Sequence, residues 1–109
     1  MIYELRRYEC LSLKLPVLQE MMDKMAVPCF ARHGMKLVGA WTVAVGEREN
    51  ALIYILAFDS MDDRMRKWAA FHKDPVWNEQ KRKVHEKEGA LTQLISNSFL
   101  VPQPYSPLQ

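Results

Sequence analysis

At 109 residues, 49% hydrophobic and 26% charged, the chain has the length and composition of one globular domain, residues 1–109, with enough core to need no staples. Its formal net charge of +2, with acids and bases mixed along the chain, argues neither for nor against an anionic partner. No apolar run approaches the ~20 residues of a membrane helix, and Cys10 and Cys29 form neither a C-x-x-C pair nor a zinc spacing.

Both thiols read as reduced, and no basic segment followed by an apolar one opens the chain, so the expected location is cytoplasmic. Residues 2–10, IYELRRYEC, read as the first strand. Ile2, Glu4, Arg6 and Tyr8 share one face; Tyr3, Leu5, Arg7 and Glu9 share the other. Neither face is cleanly apolar. In mid-sheet, such a strand meets either solvent or a cavity that tolerates polar groups.

Ser12 is placed to cap the helix that follows, with Pro16 in its first turn. Leu15, Leu18, Met22, Met25 and Cys29 recur at spacings of three and four, a stripe on one helical face. Pro28 falls inside that pattern and predicts a kink near Lys24–Pro28. The helix is expected to end at His33, with Gly34 as its left-handed cap.

Two runs of strand-forming residues, Leu37–Val45 and Ala51–Phe58, flank the link Gly46–Asn50 and predict a β-hairpin. The first run aligns Leu37, Gly39 and Trp41 on one face, and Gly39 leaves room for a close approach to the backbone. The second is apolar on both faces. Leu52, Tyr54, Leu56 and Phe58 share one; Ala51, Ile53, Ile55 and Ala57 share the other. A strand of that kind is buried on both sides. Two helices do not cover two sheet faces in a chain this short, so a second copy is the expected cover. The face with Tyr54, Leu56 and Phe58 is expected to line a pocket or seal that dimer, and the opposite face to lie under the helices.

Ser60-x-x-Asp63 opens the next helix with a capping signature, and its inner stripe is read as Met61, Met65, Trp68, Ala69 and His72. Asp74-Pro75 stops it and starts another, Pro75–Glu88, anchored by Val76, Trp77 and Val84. Residues 92–101 alternate as a last strand, and the proline-rich tail is extended. The order β-α-β-β-α-(α)-β is α+β and ferredoxin-like, a four-stranded antiparallel sheet with helices on one face. Two such sheets paired face to face close a barrel.

No nucleotide-binding, nucleophile-elbow or metalloprotease motif is present. His85-x-x-Glu88 offers two ligands on a charged helix, a poor metal site, and no metal is expected. Arg64, Arg66 and Lys67 interleave with acids, so no nucleic-acid groove is expected. Three side chains stand out. His33 is either a proton shuttle favoured in its charged form by the helix dipole or a simple C-terminal cap. Tyr54, a phenol on a buried strand, needs a hydrogen-bond partner in the protein or in a ligand. Arg6, beside Glu4 and Tyr8, is an ion-pair member or an anion anchor. His33 and Tyr54 are the catalytic candidates. Glu4, Arg6, Tyr8, Trp41, Leu56 and Phe58 join them as pocket candidates.

The stretch IYELRRYE resembles the YELR-x-Y opening of the NIPSNAP family, and RHGMKLVGAW is close to that family's His-Gly-x-Lys-Leu-Val-Gly-x-Trp. Asn50, Phe58-Asp59-Ser60, Arg64, Asp74-Pro75-x-Trp77 and the Pro-x-Pro-Tyr-Ser-Pro tail also fall in register, so the likeness spans essentially the whole chain. It implies the dimeric α+β barrel superfamily, a homodimer through the helix-free sheet face, and a cavity for a small apolar or aromatic ligand. That superfamily includes cofactor-independent oxygenases, isomerases and haem-handling enzymes. An oxygenase or isomerase without a cofactor is therefore one expected role, and a non-catalytic interaction or assembly module the other. Haem, held by His72, is the one cofactor alternative. Family members often carry histidine, tryptophan and tyrosine where this chain has Tyr54, Leu56 and Phe58, which implies a less polar face here.

Overall fold

The computed structural model describes residues 1–109. Four strands, β1 (Ile2–Cys10), β2 (Lys36–Thr42), β3 (Ala51–Phe58) and β4 (Thr92–Leu100), form one antiparallel sheet in the order β2-β3-β1-β4. The helices α1 (Leu15–Met21), α2 (Val27–Arg32), α3 (Met61–Lys73) and α4 (Pro75–Glu88) cover one face of it. This is the ferredoxin-like α+β plan that the order of elements predicts. No helix is long and apolar enough to cross a membrane.

The cap at Lys14 carries no side-chain hydrogen bond, so Ser12 does not cap α1. Between α1 and α2 the helix widens into one π turn, Met22–Ala26. Pro28 has no N–H to return to Lys24, and its ring crowds that carbonyl. The wider turn absorbs the conflict, with the Val27 N–H bonding back to the Met22 carbonyl. The expected kink is thus a change of helical pitch. Gly34 takes the left-handed conformation that ends α2 (φ 65°).

Two capping expectations hold in detail. Ser60 Oγ accepts from the Asp63 N–H at 3.1 Å while the Asp63 carboxylate accepts from the Asp59 N–H at 3.0 Å. Asp74 caps α4 by accepting from the Trp77 N–H at 3.0 Å. The inner stripe of α3 differs from the expected one. Trp68 and Phe71 are buried, whereas Met61, Met65 and Ala69 are exposed. Asp63 at the cap and Arg64 against Glu4 fix the rotation of the helix, and the methionines fall outside that face.

The two sheet faces are reversed relative to expectation. Tyr54, Leu56 and Phe58 lie under the helices, each nearly inaccessible, with Glu4, Arg6 and Tyr8 beside them. The helix-free face carries Ile53 and Ile55, flanked by Leu5. A strand apolar on both sides gives no periodic sign of which side the helices take. A bulge at Val38 adds a second departure. Leu37 pairs with Leu56 on the helix side, but Gly39 and Trp41 pair with Ile55 and Ile53 on the other. Trp41 is therefore no part of the helix-side pocket; it lies 51% exposed on the open face.

Candidate functional site

Strand β1 runs through the middle of the sheet, so its helix-facing side chains meet both neighbours and the helices above. Glu4 has no exposed surface. Its Oε1 accepts from Trp68 Nε1 at 2.8 Å and Arg64 Nε at 3.1 Å. Its Oε2 accepts from Arg6 Nη1, Arg64 Nη2 and Asn97 Nδ2, each at 2.9 Å. Burial alone would raise this carboxyl. The hydrogen bonds from Arg64, Asn97 and Trp68 and the charge of Arg6 outweigh it and hold Glu4 at about 2.

From Glu4 the network turns toward a cavity. The Arg6 guanidinium lies 4.7 Å from the centroid of the Trp68 ring. Its Nε and Nη2 each donate to the Tyr8 hydroxyl at 3.3 Å. Tyr8 and Tyr54 place their hydroxyls 2.9 Å apart, with their rings edge to face. Burial, then the neighbouring Tyr8, pushes Tyr54 well above the usual phenol range, so it keeps its proton at neutral pH.

Arg6, Tyr8 and Tyr54 form one wall of a cavity of about 290 Å³ between helices and sheet. Phe30, Trp68, Phe71 and Trp77 supply its aromatic side, and Met21 and Met22 its flexible one. His72, Lys81 and His85 stand exposed around it. His72 stacks on Trp68 at 5.4 Å. Desolvation of its ring against the cavity wall, then the charges of Lys81, Arg6 and Arg64, push it below the ordinary histidine range.

Of the residues singled out in the sequence, Arg6, Tyr8 and Tyr54 converge on this cavity. Glu4 sits behind them, holding Arg6, while Leu56 and Phe58 are packed core. His33 is elsewhere. Its Nε2 meets the Asp74 carboxylate at 2.7 Å, and Arg32 grips both oxygens of the same carboxylate at 3.1 and 3.2 Å. This clip ties the end of α2 to the start of α4, with the His33 ring on a carboxylate of the next helix and not on the last carbonyls of its own. The phenol, the indole of Trp68 and the amide of Asn97 come together over 46 to 93 residues of sequence. Asn97 and Lys81 carry no local signal, and Trp68 is legible in the sequence only as core.

Cys29, His33 and Asp74 present a sulfur, a ring nitrogen and a carboxylate oxygen within 4.8 Å of one another. Arg32 already occupies the carboxylate, and burial followed by the Asp74 charge pushes the Cys29 thiol up to about 11. The first takes up the carboxylate and the second opposes the thiolate that a metal needs, so the cluster works as a clip. Asp74→Ala is expected to lower the thermal midpoint more than Asp74→Asn. The amide oxygen still caps α4, whereas alanine loses both cap and pairing. Parallel melts at neutral pH read this order, and equal midpoints would contradict it. The residues present fit haem poorly: the cavity is at the small end of the ligand range.

The NIPSNAP family model matches residues 3–107. A search of curated proteins finds no match. Among solved structures, the chain is similar to a NIPSNAP family protein of unknown function from Agrobacterium tumefaciens, with 27% identity and TM-score 0.86 over 100% of this chain and 94% of that one. It is similar to an uncharacterized NIPSNAP domain protein from Burkholderia xenovorans, with 21% identity and TM-score 0.84 over 98% and 99% of the two chains. The fold also resembles that of a mutant of SnoaB, a cofactor-independent oxygenase from Streptomyces nogalater, at 13% identity and TM-score 0.61 over 97% and 96%. With the family model spanning nearly every residue and the same sheet and helices recurring in these structures, this chain belongs to the NIPSNAP family.

Proposed function

We propose that this protein binds a small apolar or aromatic molecule in the cavity between its helices and its sheet, as one half of a homodimer. One observation carries the reading: a hollow of about 290 Å³ lies at the aromatic centre of a 109-residue domain. The hollow opens to solvent where His72, Lys81 and His85 stand, so it is a cleft that a ligand can enter. Here four aromatic rings and two methionines border open space, and the polar groups that reach it belong to one connected network.

The dimer reading rests on the helix-free face, where Trp41, Leu94 and Leu100 are exposed around Ile53 and Ile55. Light scattering is expected to give twice the 12.8 kDa chain mass at micromolar concentration. Ile55→Glu is expected to halve that value. A parent protein with the mass of one chain would sink the dimer. For the ligand, melting with a panel of bicyclic aromatic compounds should raise the midpoint for some members and not for short polar ones; no rise for any member overturns the binding reading.

The likeness of fold to a cofactor-independent oxygenase supports an oxygenase or isomerase role without a prosthetic group as an analogy of fold. In this chain His72 is the group at the cavity placed to accept a proton, and its surroundings favour its uncharged form. Tyr54 favours the second reading, a binding module without catalysis. Its proton is held too tightly for a base, which leaves it a hydrogen-bond donor.

A further inference from the structure

We propose that the ligand of this cavity is an anion, a carboxylate on a flat apolar body, received at its charged end by Arg6 and Lys81. The inference rests on the binding role proposed above and narrows it to one charge class.

The first support is the charge of the lining. The cavity is bordered by Arg6, Lys81, His72 and His85 and by no aspartate or glutamate. The two fully charged side chains on its border, Arg6 and Lys81, are both cations. The second is the imbalance behind the wall. Glu4 is the only carboxylate in the network, and it holds two guanidinium groups, Arg6 and Arg64. Glu4 is saturated: five donors share its two oxygens. One positive charge beside the cavity thus has no counter-charge in the protein.

The third is the direction of the hydrogen bonds. A guanidinium has five N–H donors. Arg6 spends one on Glu4 and two on the Tyr8 hydroxyl, so two remain, on a side chain with only 16% exposure. The Tyr8 and Tyr54 hydroxyls share one hydrogen bond in which either is the donor, so one phenol O–H is left over as a further donor. The polar wall therefore offers donors, which match a carboxylate and not an ammonium. The opposite side, Phe30, Phe71, Trp77 and the methionines, suits a flat hydrocarbon body. The groups facing His72, namely Lys81, Arg6 and Arg64, are all cations and lower its proton affinity in addition to burial. An anion bound among them reverses part of that effect.

The test uses three probes of one shape: 2-naphthoate, neutral 2-naphthamide and 2-naphthylmethylammonium. Calorimetric titration is expected to show naphthoate binding at least tenfold tighter than the amide, with no measurable heat from the ammonium. Its affinity should fall with added salt while that of the amide does not. The indole N–H signals of Trp68 and Trp77 should shift on binding, and His72 should titrate at higher pH with naphthoate bound than with the amide. Lys81→Gln, at an exposed position with no fold role, is expected to weaken naphthoate several-fold and leave the amide unchanged. Arg6→Gln is expected to do the same more strongly where it folds.

If the amide binds as tightly as the acid, or Lys81→Gln leaves naphthoate unchanged, the charge assignment is wrong while the apolar binding role stands. Naphthoate binding without indole shifts also overturns it, because the site is then elsewhere. If none of the three probes binds, both readings fail together.

Discussion

Glu4→Gln is expected to destabilise the protein by about 3–5 kcal/mol, the loss seen when one partner of a buried ion pair is removed. The substitution keeps the side chain's size, so packing is nearly unchanged. What it removes is the charge that five donors address. The new amide also brings donors of its own against Arg6 and Arg64, which have no lone pairs to offer. A domain of this size is ordinarily stable by about 5–15 kcal/mol, so the variant should lose a large part of its margin. Urea unfolding at neutral pH measures this directly. A loss under about 1 kcal/mol would mean that water replaces the carboxylate without penalty.

The same residue sets the acid limit of the fold. In the folded protein Glu4 is held at about 2, below its unfolded value near 4.5. A depressed carboxyl contributes stability that is complete above the unfolded value and lost as pH falls toward the folded one. The parent should therefore weaken between roughly pH 4.5 and 2, with about 3 kcal/mol at stake at 1.36 kcal/mol per unit. Asp63 and Asp74 are lowered too and act in the same direction. In Glu4→Gln the slope of stability against pH over that window should flatten. An unchanged slope would assign the acid sensitivity to the aspartates instead.

Phe30→Ala is the second large effect, at about 3–5 kcal/mol. Phe30 is 2% exposed, and its ring lies 5.3 Å from Phe71, 5.8 Å from Tyr54 and 5.9 Å from Trp68. Removing it merges its own volume with the existing cavity. The space is bordered by aromatic rings from four separate elements, β1, β3, α3 and α4, so collapse into it is limited. The melting midpoint of the variant should therefore rise more steeply with added indole or naphthalene than that of the parent. A variant that loses stability without this recovery would show that the cavity had closed.

Much of the chain's architecture can be read locally. The span of β1 at 2–10, β3 at 51–58 and α4 at 75–88 follows from runs bounded by Asp-Pro, Asn and Gly, whose effects reach only a few residues. The facing of β3 cannot be read this way. Ile53 and Ile55 on one side are as apolar as Leu52 and Leu56 on the other, and only contacts with distant helices choose between them. The bulge at Val38 is marked only by the glycine after it, which fits a close backbone approach equally well, and Trp41 changes side with it. For the site, the polar face Glu4-x-Arg6-x-Tyr8 is visible because charged residues on a central strand need partners. The partners themselves, Arg64 and Asn97, lie 60 and 93 residues away and leave no trace near β1. His33 looks suitable by position in its helix, yet Asp74, 41 residues later, takes it out of the cavity.

The π turn at Met22–Ala26 sets the phase of everything after it. Each residue added to or taken from a helix rotates the following segment by roughly 100°. The turn carries one residue more than a regular ladder would, so it works as a fixed angular offset between α1 and α2. Because of that offset Leu18 and Met21 before it, and Cys29 and Phe30 after it, face the same sheet. Deleting a single residue between 22 and 26 would restore an ideal helix and carry Phe30 away from the aromatic cluster and His33 away from Asp74. Pro28 resists that repair, since a regular helix here has no place for its ring. Insertions and deletions in this stretch should therefore be far more disruptive than substitutions at the same positions.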